Sequence, residues 1–144
     1  RVVANSHLEE VFNWTRDLGI LVTANYIIGI PGETRVELEE TVALHHRLRP
    51  DDFGYFVFYP YPGTALFQTC QKQGYLPDDF WDRPANHRET VLRLPGLDSS
   101  VVEEFYHRFT QIREREYLER HARMLNAAGE ASATQSIRDS ASQG

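Results

Sequence analysis

The sequence predicts an α/β fold in which helices alternate with strands of a parallel sheet. Two runs rich in β-branched and aromatic residues, 20–28 and 53–59, have strand composition. Each is followed by a glycine–proline turn and then by residues that open a helix. The helix between them is long enough for a crossover, and strands joined in this way pair in parallel with right-handed connections.

Each element has a local reason. Ser6 and Glu9 form a capping box for a first helix, in which Leu8, Val11, Phe12 and Leu18 recur at helical spacing and Gly19 provides the stop. Residues 20–28 are apolar over most of their length, the pattern of a strand covered on both faces. Thr34 and Glu37 make a second capping box, and Pro50 marks the end of the helix they open. A short helix over 65–73 follows the second strand and stops at Gly74. Beyond it, proline and clustered aspartate dominate residues 75–98, with one short strand expected at 90–94. Ser100 and Glu103 offer a third capping box for a long helix towards Asn126, with an apolar stripe of Val101, Val102, Phe105, Phe109, Ile112, Leu118 and Leu125. The division expected is 1–75 as a sheet-and-helix unit, 76–126 as an extension carrying the long amphipathic helix, and 127–144 as a disordered tail of Ala, Ser, Gln and Gly. Two strands leave long unpaired edges, so the unit reads as part of an α/β barrel or doubly wound sheet.

Composition narrows the chemistry. Among 144 residues, 15 Lys and Arg stand against 21 Asp and Glu, a formal charge of −6. That balance disfavours a general nucleic-acid or anionic-membrane binder, since neutralising phosphates needs a cationic face. No apolar run approaches the ~18 residues of a membrane span, and with no leader pattern or initiator Met the chain reads as a mature or excised fragment of a soluble, cytoplasmic protein. A single cysteine, Cys70, leaves no internal disulfide and no self-contained iron–sulfur cluster. Placed in a short helix, it reads as a packing residue. His45 and His46 are adjacent on a helix and diverge by about 100°, so they do not chelate together. No catalytic residue and no metal ligand is assigned from the sequence.

Two segments stand out: IIGIPGET (27–34) and FYPYPGT (58–64). Each lies at the C-terminal end of a predicted strand, where ligands bind in parallel α/β folds. Glycines at 29, 32 and 63 would let a ligand approach the backbone closely, although a proline–glycine pair in such a place is often only a turn. Tyr59 and Tyr61 are candidates for a substrate cavity.

The order GILVTANYIIGIPGET, helix, LRPD, FVFYPYPGTALF closely resembles the second half of a radical S-adenosylmethionine (radical SAM) core, nearest the group associated with cobalamin-binding domains, its methyltransferases and anaerobic oxidative cyclases. The resemblance covers residues 1–75 and implies the fifth and sixth strands of a partial (β/α)6 barrel, with the helical extension closing one end and shaping the substrate entrance. It implies that Ile27 and Gly29, within a GxIxGxxE-like signature, and Phe58, Tyr59 and Pro60, after the sixth strand, hold the adenine of S-adenosylmethionine. Asn25 stands at the first Gly of that signature, and Glu33 falls one residue late. The three-cysteine motif for a [4Fe–4S] cluster is absent, so the implied partner is the upstream half of the same barrel. The intact enzyme would generate a 5′-deoxyadenosyl radical for methyl transfer or oxidative cyclisation of a small-molecule substrate, with cobalamin a further cofactor. The chain alone is expected to be inactive. Two alternatives stay open: a non-catalytic truncated fragment acting as an interaction module, and an unrelated α/β enzyme using a nucleotide.

Overall fold

The computed structural model describes residues 3–141, with side chains over 3–127. Its elements are α1 (Asn5–Asp17), β1 (Thr23–Ile28), α2 (Arg35–Leu48), β2 (Asp52–Val57), α3 (Ala65–Lys72), a 3-10 turn (Phe80–Asp82) and α4 (Ser99–Ala141). The strands pair in parallel, with Thr23 opposite Asp52 and Ile28 opposite Val57. This is the α/β alternation the sequence predicts, as a small two-stranded sheet among the described residues.

Two compact units divide the chain, residues 1–109 and 110–144. In the first, one face of the sheet is covered. Ala24, Tyr26 and Ile28 of β1 and Phe53 and Val57 of β2 are buried, as are Leu38, Val42, His45 and Leu48 of α2 and Val102, Phe105 and Phe109 of α4. Aromatic rings bind this layer: Tyr26 and Tyr55 both stack on Phe109, at 5.4 and 5.8 Å between centroids, and His45 lies 4.4 Å from Phe53. Fully buried His45 meets the Tyr26 hydroxyl at 3.2 Å through Nδ1, which offsets the cost of taking an imidazole out of water. Ion pairs Arg35–Glu104 and Arg108–Glu39 join α2 to the start of α4, both guanidiniums 5.5 Å from the Phe105 centroid.

The cap of α2 is the one expected: Thr34 accepts from the Glu37 amide, and the Glu37 carboxylate accepts from the Thr34 amide. The other two boxes differ. The first helix starts at Asn5, capped by Ala4 with no side-chain bond, so Ser6 already lies inside the first turn. At α4 the Asp98 carboxylate takes the capping role, accepting from the Ser100 amide and from both serine hydroxyls. No strand forms at 90–94. Val91 and Leu92 instead pack with Phe67, Cys70 and Phe80 in a second cluster, and only an isolated bridge links Leu94 to Leu97.

β1 is covered on one face rather than two, because the described residues supply no layer over the other. The helix α4 runs to Ala141, through most of the segment expected to be a disordered tail; Ala, Glu, Gln and Arg in that stretch are good helix formers. Residues 142–144 lie outside those described. Along α4, Leu118 and Leu125 of the expected stripe are exposed.

Candidate functional site

The uncovered face of the sheet is where the candidate site lies. Asn25 and Ile27 of β1 point to it, opposite Gly54 and Phe56 of β2. Ile27 is 52% and Phe56 42% exposed, so two large apolar side chains sit side by side on a face left partly open among the described residues. Gly54 makes room between them: a Cβ there would lie 2.6 Å from Asn25 Oδ1 and 2.9 Å from the Phe56 ring. The side chain of Asn25 makes no hydrogen bond among the described residues. Neither Gly54 nor this pairing was evident before the register was known.

Both strands end in loops. In the first, Glu33 turns back and accepts from the amides of Gly29 and Ile30, while its own amide donates to the Ile30 carbonyl at 2.9 Å. Burial raises the Glu33 carboxyl above its ordinary value of 4.5, outweighing the two backbone amides that pull it down. Glu33, one residue late for the signature implied by resemblance, is thus the carboxylate that closes the loop. Gly29 has φ 77°, and a Cβ on it would lie 3.3 Å from Val102. Its α-carbon is therefore covered by α4, and the expectation that it gives a ligand access to the backbone is not met on that side. Gly32 and Gly63 also have positive φ, but open space surrounds them.

The second loop is aromatic. Half-buried Phe58 packs against the cluster around Phe67, Cys70 and Phe80, and Tyr59 stacks on Phe80 at 5.5 Å. Pro60 is fully buried. The Phe58 amide already donates to the Ile28 carbonyl at 2.8 Å, and proline has no N–H, so of these three residues only Tyr59 has an amide uncommitted among the described residues. Of the five residues expected to hold adenine, Ile27 is exposed on the open face and Tyr59 keeps an uncommitted amide among the described residues, while Gly29 and Pro60 are buried. Cys70 is buried, and burial pushes its thiol up, away from the thiolate a metal or nucleophilic role requires.

A third segment reaches this end of the sheet. His87, at φ 56°, accepts from the Val57 amide at 2.8 Å through its carbonyl, and its ring lies beside Phe56, Tyr59 and Tyr61. No sequence pattern singled it out, since its partners are 26 and 30 residues away.

Fold and site together define an α/β piece with an open apolar sheet face at the C-terminal ends of parallel strands. No family profile matches the chain. Among curated proteins, it is 47% identical over 53 residues to a tRNA-2-methylthio-N(6)-dimethylallyladenosine synthase of Trichlorobacter lovleyi, covering 37% of the chain and 12% of that protein. A synthase of the same name from Myxococcus xanthus is 46% identical over 79 residues, 55% of the chain and 15% of that protein. An uncharacterized methyltransferase of Pyrococcus horikoshii is 29% identical over 87 residues, 60% of the chain and 19% of that protein. The chain thus spans less than a fifth of each of these three relatives. No helix among the described residues is long and apolar enough to cross a membrane.

Proposed function

We propose that this chain is a C-terminal piece of a radical SAM enzyme, in which its open sheet face is the adenine side of the S-adenosylmethionine site. The observation that carries the reading is the exposed pair Ile27 and Phe56, side by side at the C-terminal end of a parallel sheet. Adenine is flat and largely apolar with polar edges, so it suits apolar walls with a few fixed donors. Ile27 and Phe56 would supply the wall, the Tyr59 amide a donor, and the Asn25 carboxamide a donor and acceptor one step deeper. Similarity to the methylthio synthases and the methyltransferase supports the same reading.

The division of labour follows from the residues. β1 and β2 orient the nucleoside and exclude water from one side of it, the share that falls to protein in cofactor enzymes. S-adenosylmethionine, when bound, supplies radical chemistry begun at an iron–sulfur cluster. The one buried cysteine here does not fit that cluster, so no step involving it is assigned to this chain. The upstream half of a (β/α)6 barrel would pair with the free edge of β1 and enclose the space in front of the open face, where adenine would lie. Methyl transfer or oxidative cyclisation of a small molecule, and a cobalamin cofactor, are the finer parts of this proposal. The names of the relatives favour transfer of a one-carbon or methylthio group over cyclisation.

The test is anaerobic reconstitution with iron and sulfide, for this chain and for a longer protein containing it. The longer protein should carry a [4Fe–4S] spectrum and bind S-adenosylmethionine, and this chain should carry neither a stoichiometric cluster nor its spectrum. A stable cluster on this chain alone would contradict the assignment.

A further inference from the structure

Tyr61 and His87 meet just beyond the end of β2, with the Tyr61 hydroxyl 2.8 Å from His87 Nε2. On the other side of the ring, Nδ1 lies 3.2 Å from the Val57 carbonyl oxygen. A carbonyl only accepts, so Nδ1 carries the hydrogen. In the neutral imidazole Nε2 then holds a lone pair, and the Tyr61 hydroxyl donates to it. The tautomer is set by a backbone atom on a strand rather than by a mobile side chain.

The backbone reinforces this arrangement. The Val57 amide donates to the His87 carbonyl, so both main-chain groups of Val57 are bound by the one residue. His87 is held in the left-handed region at φ 56°, costly for a residue with a side chain and a feature that gathers at functional sites. The other non-glycine with positive φ, Arg49, is explained as the C-cap of α2. No helix end explains His87. Phe56, Tyr59 and Tyr61 surround its ring, while Tyr61 is 51% exposed.

We propose that Tyr61 and His87 form a proton-transfer pair, with the Val57 carbonyl orienting the imidazole, serving a small molecule that presents an O–H or N–H group at this end of the sheet. The arrangement is that of an acid–base relay: a hydroxyl at hydrogen-bond distance from a base, and the base aligned by a third group. When the ligand's X–H proton moves to the Tyr61 oxygen, the original Tyr61 proton moves to His87 Nε2. One X–H and one O–H bond break, one O–H and one N–H bond form, and the products are the ligand anion and an imidazolium still bound to Val57. The reverse transfer restores the neutral pair. The proposal does not rest on the radical-enzyme reading, and its test uses no S-adenosylmethionine.

The test is made on the full chain. Nitrogen-15 correlation spectra of its histidines at neutral pH should show His87 as the Nδ1–H tautomer; an Nε2–H tautomer would overturn the proposal. An aryl sulfonyl fluoride then compares Tyr61 with Tyr117, whose exposure is similar at 56%. The phenol oxygen bonds to sulfur, fluoride leaves, and the phenol proton goes to Nε2, so Tyr61 should be labelled at least tenfold faster. The variant His87→Asn keeps a side-chain donor for Val57 and tolerates the left-handed backbone, but replaces the basic nitrogen Nε2 by a carboxamide that takes up no proton. It should lower Tyr61 labelling to the Tyr117 rate without loss of thermal stability. Equal rates at Tyr61 and Tyr117 in the wild-type chain, or an unchanged Tyr61 rate in a folded His87→Asn, would overturn the proposal, and the wild-type comparison needs no variant to fold.

Discussion

The two strand-end loops share a Pro-Gly pair and a place in the topology, yet they are built differently. The first is closed from within by Glu33, which accepts from two of its own loop's amides, and Val102 of α4 packs over Gly29. The second is held from outside, by aromatic packing on Phe80 and by His87 at Val57, and it leaves Tyr61 half exposed. The contrast teaches that a glycine in a strand-to-helix loop can serve packing in one place and chain reversal in another.

Substitutions sharpen that contrast. The largest effect on stability is expected for Gly29→Val, which meets both a φ of 77° and the Val102 side chain at 3.3 Å. Left-handed strain and overpacking together should cost about 3 kcal/mol or more by urea denaturation. Gly63→Ala has the same φ problem at 87° but open space, so about 1 kcal/mol is expected. Equal losses at the two positions would break the comparison.

Glu33→Ala should cost about 1 kcal/mol near pH 4, because it removes the oxygen that accepts from Gly29 and Ile30. Its pH dependence has a defined sign. A carboxyl raised above 4.5 binds its proton more readily in the folded chain than in the unfolded one. Its contribution is therefore complete below 4.5 and declines as pH rises through the folded value. The gap between wild type and Glu33→Ala should narrow across that window, as followed by denaturation at a series of pH values. A gap that widens with pH would show that the amide bonds to the charged form outweigh burial. The smallest effect on stability is expected at Ile27→Ser, within about 0.5 kcal/mol, since the side chain projects from the uncovered face.

Much of the order was legible because its causes are local. The Thr34–Glu37 box, the β-branched strands and the positive-φ glycines each act within a few residues. Misjudged features had competitors that were also local: Asp98 displaced the Ser100 box, and an earlier helix start left Ser6 without a capping role. Residues 90–94 have strand composition, yet two of their apolar side chains are taken up by the cluster around α3. Ile27 and Phe56 looked like core because an apolar strand is read the same way whether its second cover is in the chain or not. His87 was invisible for a different reason. Its role exists only once residue 57 and residue 87 are side by side, and no spacing rule anticipates that.

The central claim is that the uncovered face receives adenine, and equilibrium binding of S-adenosylmethionine tests it most directly. The measurement compares the longer protein containing this chain with its Ile27→Asp variant by titration calorimetry. A charge against the adenine face should weaken binding at least tenfold, with cluster content and thermal stability unchanged. Unchanged affinity in the folded variant would contradict the assignment of this face.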